Sequence, residues 1–339
     1  MDKLHSDVLL VIFDYLPDFA KLSTRMVCKR WHQLILKPKE IYISNFVTSL
    51  ELLKWALTMY KGELHNVLCN RAAEEGQLEV LKYAYALGWP LDYYICSKAA
   101  CYGHFHVLKW LKEQNQPFDD YVCESAAAEG YLDVLKWCRE NKIPWDEETC
   151  NQAAKYGHLS ILQWARSADC PWDESVCSSA LEGGHFHILK WCRENGAPWD
   201  SRTFMYGIIN GKLDELNWLH EENCPFDSIS FSFAVSNGRI DILEWAITKG
   251  YKLIVDLYQY AAAKGHIHVL NWLWEHNCPH ICDSGMLYPP DPCFQAVNSG
   301  HLDCLIWLID KGFKCNKYLL QAIAEQEKHT NILIWLENN

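Results

Sequence analysis

Apolar residues recur along the chain at two intervals at once. Within short segments they fall at helical spacing: Leu132, Val134, Leu135 and Trp137 gather on one side of a predicted helix, and the small residues Ala126, Ala127 and Ala128 precede them. Between segments the whole arrangement returns every 27 residues. Gly76, Gly103, Gly130, Gly157, Gly184, Gly211, Gly238 and Gly265 keep that interval, and Gly300 resumes it after an 8-residue insertion within 283–292. Seven residues after each glycine stands Tyr83, Trp110, Trp137, Trp164, Trp191, Trp218, Trp245, Trp272 or Trp307. Trp55 and Trp335 extend this ladder at both ends, giving about eleven copies.

Each copy predicts two short helices. Asp119, Asp146, Asp173, Asp200 and Asp227 stand where an N-cap accepts from unpaired amides of the first turn. The periodic glycine ends the alanine-rich helix by supplying a positive φ. Twelve residues later Gly88, Asn115, Lys142, Asp169, Gly196, Asn223, Gly250, Asn277 or Gly312 closes the second helix. In most copies a proline follows, as at Pro90, Pro117, Pro144 and Pro171, and prevents continuation. A pair this short cannot bury its apolar face alone, so the copies must stack on one continuous core, an all-α solenoid.

The first 45 residues are off this period. Val8, Leu9, Ile12, Phe13 and Leu16 follow helical spacing, Pro17 interrupts it, and Leu22, Met26, Val27 and Trp31 make a second apolar face. Residues 1–45 carry seven basic and five acidic groups, net +2, against −14 for the remainder, so they form a separate module.

Charge narrows the partners. With 31 basic and 43 acidic residues the chain is net −12, which argues against nucleic acid, since a phosphate-binding surface needs a basic stripe. No run of about 18 uncharged apolar residues is present, so no membrane partner is expected. The acidic start lacks the features of a secretion signal, which places the protein in the cytoplasm, with its 16 cysteines reduced.

Histidine and cysteine invite a metal or catalytic reading, which spacing disfavours. The pairs His104/His106, His185/His187 and His266/His268 lie three copies apart, too far to share one ion. Cys96, Cys123, Cys150 and Cys177 hold one position in successive copies and read as small buried hydrophobes. No thiol is set apart from the repetition as a nucleophile would be. We therefore expect no cofactor, no metal and no enzymatic activity. The tryptophan ladder reads as core, and Trp145, Trp172 and Trp199 as covers over the loop edge.

The string AAAEGYLDVL at 126–135, with AAKYGHL at 153–159, resembles the ankyrin "AAxxGHLEVV" motif. The copies are about six residues shorter than the usual ankyrin repeat, and Pro-Trp-Asp replaces its "GxTPLH" segment, so the projecting hairpin is expected to be shortened or absent. Short copies of this kind resemble those of large DNA viruses that infect amoebae. The segment LHSDVLLVIFDYLP at 4–17, with VCKRW at 27–31, resembles an F-box, whose opening is "LPxEILxxIFxYLP"; His5 stands in place of the family's proline. That resemblance implies three helices over 1–45 that dock on a Skp-type adaptor of a cullin ubiquitin ligase. Carried over by position, Leu4, Val8, Ile12, Leu16, Leu22, Val27, Cys28 and Trp31 form or support the adaptor surface. A helical cap for the solenoid is the alternative role of the segment, and the protein is then a scaffold that sequesters its partner.

Target-binding candidates are positions that vary while the scaffold repeats, chiefly the two residues before each glycine. They are Tyr102, Glu129, Lys155, Tyr156, Asn210, Asn237 and Lys264, with Tyr102 and Tyr156 as anchors. Asp119, Asp120, Asp146, Glu147, Glu148, Asp173 and Glu174 form an acidic stripe on the loop edge that would steer a basic partner. Lys82, Lys109, Lys136 and Lys190 mark a solvated convex face. The target is expected to be a protein, a host protein if the viral resemblance holds, and 283–292 a contact loop or a bulge.

Overall fold

The computed structural model describes residues 50–51, 53–54, 65–253, 257–279 and 291–338, and among them the backbone is helical, with no strand. The eight adaptor-surface candidates from Leu4 to Trp31, Trp55 and most of the 283–292 insertion lie outside the described residues. The chain divides into two compact units, Met1–Gln152 and Ala153–Asn339.

In the first unit the pairs are α1 (His65–Glu74) with α2 (Leu78–Ala86), α3 (Ile95–Cys101) with α4 (Phe105–Glu113), and α5 (Tyr121–Glu129) with α6 (Leu132–Glu140). The first helices α1, α3 and α5 pack in a row. Next come α7 (Glu147–Lys155), which spans the division between units, and α8 (Leu159–Ser167). The second unit continues with α9 (Ser175–Glu182) and α10 (Phe186–Glu194), then α11 (Ser201–Asn210) and α12 (Leu213–Glu221). A 3-10 turn (Ser228–Ser230) leads into α13 (Phe231–Ser236) and α14 (Ile240–Thr248). The last pairs are α15 (Leu257–Ala263) with α16 (Ile267–Glu275), α17 (Pro292–Asn298) with α18 (Leu302–Asp310), and α19 (Lys317–Gln326) with α20 (Thr330–Asn338). Again each first helix from α9 to α19 packs on the next and on its own partner.

Alanine makes this stacking possible. Ala72, Ala99 and Ala126 in the first unit, and Ala180, Ala234 and Ala261 in the second, are buried where neighbouring first helices meet. Three residues before each of these comes a second buried rung. It is Cys69, Cys96, Cys123, Cys150 and Cys177 in the early copies, then Phe204, Phe231 and Tyr258, then Cys293. The sequence reading of the cysteines as buried hydrophobes is borne out. One pair departs from the expected free thiols: Cys293 and Cys315 are disulfide-bonded, with Cα atoms 6.2 Å apart. They hold different positions in the repeat, so the spacing along one rung does not separate them.

Both helices of a copy end alike. The amide after the periodic glycine bonds back five residues, as His104 to the Ala99 carbonyl at 2.8 Å and His185 to Ala180 at 2.8 Å. That bond requires a left-handed residue in between, which the glycine provides. The second helix closes the same way through Asn115, Lys142, Asp169, Asn223 or Asn277, all at positive φ. In the final copy Lys328 takes the glycine's place at φ 62°.

The glycine has a second duty. A Cβ on Gly76 would lie 2.5 Å from the imidazole of His104, and one on Gly157 2.7 Å from that of His185. In most copies the side chain after the glycine thus covers the glycine of the copy before, Gly184 being an exception. There it also bonds a helix-end carbonyl: His104 Nε2 meets Glu74 O at 2.8 Å, and His266 Nε2 meets Ser236 O at 3.0 Å. His106 and His268 do the same to Gly76 O and Gly238 O, at 2.9 and 3.3 Å. These histidine pairs fasten copies together.

The tryptophans after proline are held by arginine. The guanidinium of Arg139 lies 4.2 Å from the Trp145 ring centre and donates to the Ile143 carbonyl at 3.0 Å. Arg166 covers Trp172 at 4.2 Å and Arg193 covers Trp199 at 4.0 Å, and these donate to Cys170 O and Ala197 O. Stacked this way, the arginine and tryptophan pack against each other beside the loop that follows the second helix. The tryptophan ladder itself sits nearer the rim than expected. Trp110, Trp245 and Trp272 are buried, but Trp137, Trp164, Trp191, Trp218 and Trp307 are half-buried. The buried Trp245 and the half-buried Trp307 donate Nε1–H to Asn217 and Asn271, at 2.9 and 2.7 Å.

Candidate functional site

The first-helix edge of the first unit presents tyrosine and carboxylate side by side. Tyr94 and Tyr121 occupy one position in successive copies, nine residues before the glycine, where each helix begins. They are 52% and 49% exposed, and Tyr93 beside them is 54% exposed. The rings touch edge to face: Tyr93 and Tyr94 at 5.3 Å between centroids, Tyr94 and Tyr121 at 6.2 Å. Three tyrosines hold one another in place while remaining open to solvent. The Tyr93 hydroxyl donates to the Asp119 carboxylate, whose charge pushes the phenol's pKa up.

Acid lies directly against these rings. Asp120, rather than Asp119, caps α5, accepting from the Tyr121 amide at 3.1 Å; the cap expected at Asp119 is displaced by one residue because Asp119 accepts from Tyr93 instead. Asp146, Asp173, Asp200 and Asp227 cap as expected, at 2.9–3.1 Å. Glu124 rises from α5 one turn after Tyr121, and its carboxylate, with those of Asp120 and Asp146, forms a half-buried group whose oxygens all lie within 4.8 Å of one another. Burial first, then the charges of Asp146, Asp120, Glu148 and Asp119, push the Glu124 carboxyl up to about 7. No lysine or arginine among the described residues forms an ion pair with Asp119, Asp120 or Glu124. Elsewhere acids are matched, as Glu74 by Lys98 at 2.6 Å and Asp241 by Arg239 at 2.7 Å.

A stability consequence follows. The folded Glu124 binds its proton more tightly than an unfolded one, with a pKa near 7 against an ordinary 4.5. Its charging therefore opposes folding, and the penalty, absent below 4.5, grows as pH rises and is complete above 7. Glu124→Gln will stabilise the protein by about 1.5 kcal/mol at pH 8, allowing for solvent screening of a half-exposed group. At pH 4.5 it will be nearly neutral. Urea unfolding of both chains at the two pH values reads this; an equal difference at both would refute it.

The expected target-binding positions divide into two sets. Tyr102, Glu129, Tyr156, Asn237 and Lys264 are exposed. Tyr102 stacks on His104 with centroids 6.4 Å apart, and Asn237 bonds its own helix through Phe233 O at 2.8 Å. Lys155 and Asn210 are tied into the scaffold: Lys155 pairs with Glu182 at 2.6 Å, and Asn210 donates to Leu181 O at 2.6 Å, each joining one copy to the next. On the second helices Lys82, Lys109 and Lys136 are exposed and Lys190 is half-buried, with Lys109 and Lys190 lying over Phe105 and Phe186 at 4.2 and 4.7 Å. Tyr93, Tyr94 and Tyr121 escaped the sequence reading, which sought variation only next to the glycine. Their signal was aromatic residues directly after aspartate at a helix start, in 92–94 and 119–121.

Burial pushes the thiols of Cys96, Cys177 and Cys224 up to about 12, and those of Cys69, Cys278 and Cys304 to about 11. At neutral pH these sulfurs are protonated packing groups. No helix among the described residues is long and apolar enough to cross a membrane.

Residues 1–41 match the family model of the F-box domain, and the match contains all eight adaptor-surface candidates. No curated protein matches the chain. Among solved structures it is similar to the crystal structure of the pentatricopeptide repeat protein PPR10 in complex with an 18-nt psaJ RNA element, and to a triple cysteine-to-serine variant of that protein with the same RNA. In both cases identity is 12% and the TM-score 0.43, covering 98% of this chain and 57% of the other. The chain thus spans a little over half the length of those proteins. A likeness this slight carries nothing about ligands.

Proposed function

We propose that the protein is a non-enzymatic, substrate-recruiting adaptor of a cullin-type ubiquitin ligase. Its F-box binds a Skp-type adaptor through Leu4, Val8, Ile12, Leu16, Leu22, Val27, Cys28 and Trp31, and its ankyrin-like helix pairs hold the protein to be modified. The observation that carries this reading is an F-box match at residues 1–41 joined to stacked helix pairs with an exposed first-helix edge. Recruitment needs only two surfaces on one chain, so no catalytic group is required of it. The target is a protein rather than a nucleic acid, in keeping with a net charge of −12. The site of action is the cytoplasm, that of the host if the repeats are viral in origin.

The test is a pull-down of the full chain with purified Skp-type adaptor, comparing wild type with Val8→Asp/Ile12→Asp. Wild type will bind at micromolar or tighter affinity. The double variant, its helical circular dichroism unchanged, will bind more weakly by at least about tenfold. No binding by folded wild type overturns the ligase reading and leaves residues 1–45 as a cap on an interaction scaffold.

A further inference from the structure

We propose that the tyrosine edge of the first unit, made by Tyr93, Tyr94 and Tyr121 at the starts of α3 and α5, is a docking surface for an extended arginine- or lysine-rich segment of the target protein. This rests on reading the repeats as the target-binding half of the chain, and adds which face is used and what it accepts.

Two features of different kind meet there. The first is aromatic exposure. A tyrosine at the start of a first helix is not a scaffold requirement, since the same position is Val67, Glu148, Ser175, Arg202 or Ile229 in other copies. Yet here two of them meet edge to face across copies, with a third beside them, all about half exposed. Rings fixed against one another lose little entropy on binding, and their faces attract cations.

The second is charge. Asp119 and Asp120 border the rings, and Glu124 follows Tyr121 by one turn on the same helix face. None of the three has a lysine or arginine partner among the described residues. The Glu124, Asp120 and Asp146 carboxylates lie within 4.8 Å of one another, and Glu124 is further crowded by Glu148 and Asp119. A cationic side chain laid across this edge relieves that repulsion and covers a tyrosine face at the same time. An acidic or purely apolar segment would do only one of these or neither. Because the tyrosines and carboxylates span two successive copies, the occupant is an extended strand with several basic residues rather than a single charge.

The probe is a fluorescein-labelled peptide of alternating arginine and glycine, about nine residues long, with a glutamine-for-arginine control; anisotropy is measured on the full chain over a range of salt. Wild type will bind the arginine peptide in preference to the control, more weakly as salt rises. Tyr94→Ala/Tyr121→Ala will weaken binding about fivefold or more. Asp119→Asn/Asp120→Asn, which keeps a side chain able to cap α5, will do the same and flatten the salt dependence. Glu221→Gln/Glu222→Gln, on an exposed stretch of the second unit, will leave affinity unchanged. Equal affinity for the two peptides, no loss in either first-unit variant, or an equal loss in the second-unit control overturns the proposal. The assay contains no ligase component, so a chain that binds the peptide but not a Skp-type adaptor loses the ligase reading and keeps this one. The reverse result does the opposite.

Discussion

Alanine at Gly183 will cost the protein about 3 kcal/mol, while alanine at the next residue, Gly184, will cost about 1 kcal/mol. Backbone conformation alone predicts the opposite order. Gly183 ends α9 in an ordinary helical conformation, with φ −78° and ψ −5°, whereas Gly184 has φ +76°. What separates them is space. A Cβ on Gly183 would stand 1.8 Å from the Lys155 carbonyl oxygen and 2.8 Å from its carbon, and neither atom can rotate away. That carbonyl also accepts from His185, and Lys155 pairs with Glu182 at 2.6 Å, so any shift that admits the methyl loosens both fastenings between copies. At Gly184 an added carbon meets nothing within 4 Å. The cost there is the left-handed conformation, about 1–2 kcal/mol, less a few tenths to about 1 for the stiffer unfolded chain. Urea unfolding followed by circular dichroism measures both. Equal costs, or the greater cost at Gly184, would mean that close approach of copies does not govern this joint.

Much of this architecture is legible in the sequence because it repeats. A position that returns at a fixed interval announces a constraint common to every copy. The left-handed glycine, the left-handed closure twelve residues later, the capping aspartates other than Asp119 and the buried cysteine rung are all legible that way, and the structure places them so. Lys142 shows the strength of the frame: with an unfavourable side chain for the conformation, it still adopts φ 55°, because the bond from Ile143 to Cys138 at 2.9 Å closes the helix there. What the sequence concealed are contacts that a single copy does not contain. Glu182 reaching Lys155, and Asn210 reaching Leu181, join residues 27 and 29 apart whose partners differ from copy to copy. The shift of the α5 cap from Asp119 to Asp120 has the same origin, since the Tyr93 hydroxyl that claims Asp119 belongs to the preceding copy. The tyrosine edge was hidden for a related reason: an exposed side chain leaves no apolar period to detect. The F-box residues were legible by resemblance to a family, which depends on no repeat, and the family model matches the same stretch.

Truncating Phe204 to alanine will cost about 4 kcal/mol, whereas Cys177→Ala, at the same rung one copy earlier, will cost about 1 kcal/mol. Both side chains are fully buried. Phe204 sits among Phe226, Phe231, Trp245 and Tyr251, with ring centroids 5.6 to 6.5 Å away, and its loss leaves a void that four rings cannot close. Cys177→Ala removes one buried sulfur and leaves a much smaller void. The buried alanine that follows Cys177 in the copy before, Ala180, is Gly207 here, whereas Phe231 and Tyr258 keep alanine at that place, Ala234 and Ala261. A methyl on Gly207 would strike Leu219 Cδ1 at 2.6 Å and crowd Leu216 Cδ2 at 3.3 Å, so α11 is fitted to the smaller residue at that turn. Replacing both residues restores the Cys177/Ala180 pair of the preceding copy, and coupling is the expected result. Phe204→Cys will destabilise strongly, Gly207→Ala by itself will destabilise by overpacking, and the two together, which recreate the pattern of the earlier copies, will cost at least about 1 kcal/mol less than their sum. A double-mutant cycle in urea reads the coupling directly. Strict additivity would show that the glycine and the phenylalanine arose as independent changes, and that the aromatic rung is seated by its ring neighbours alone.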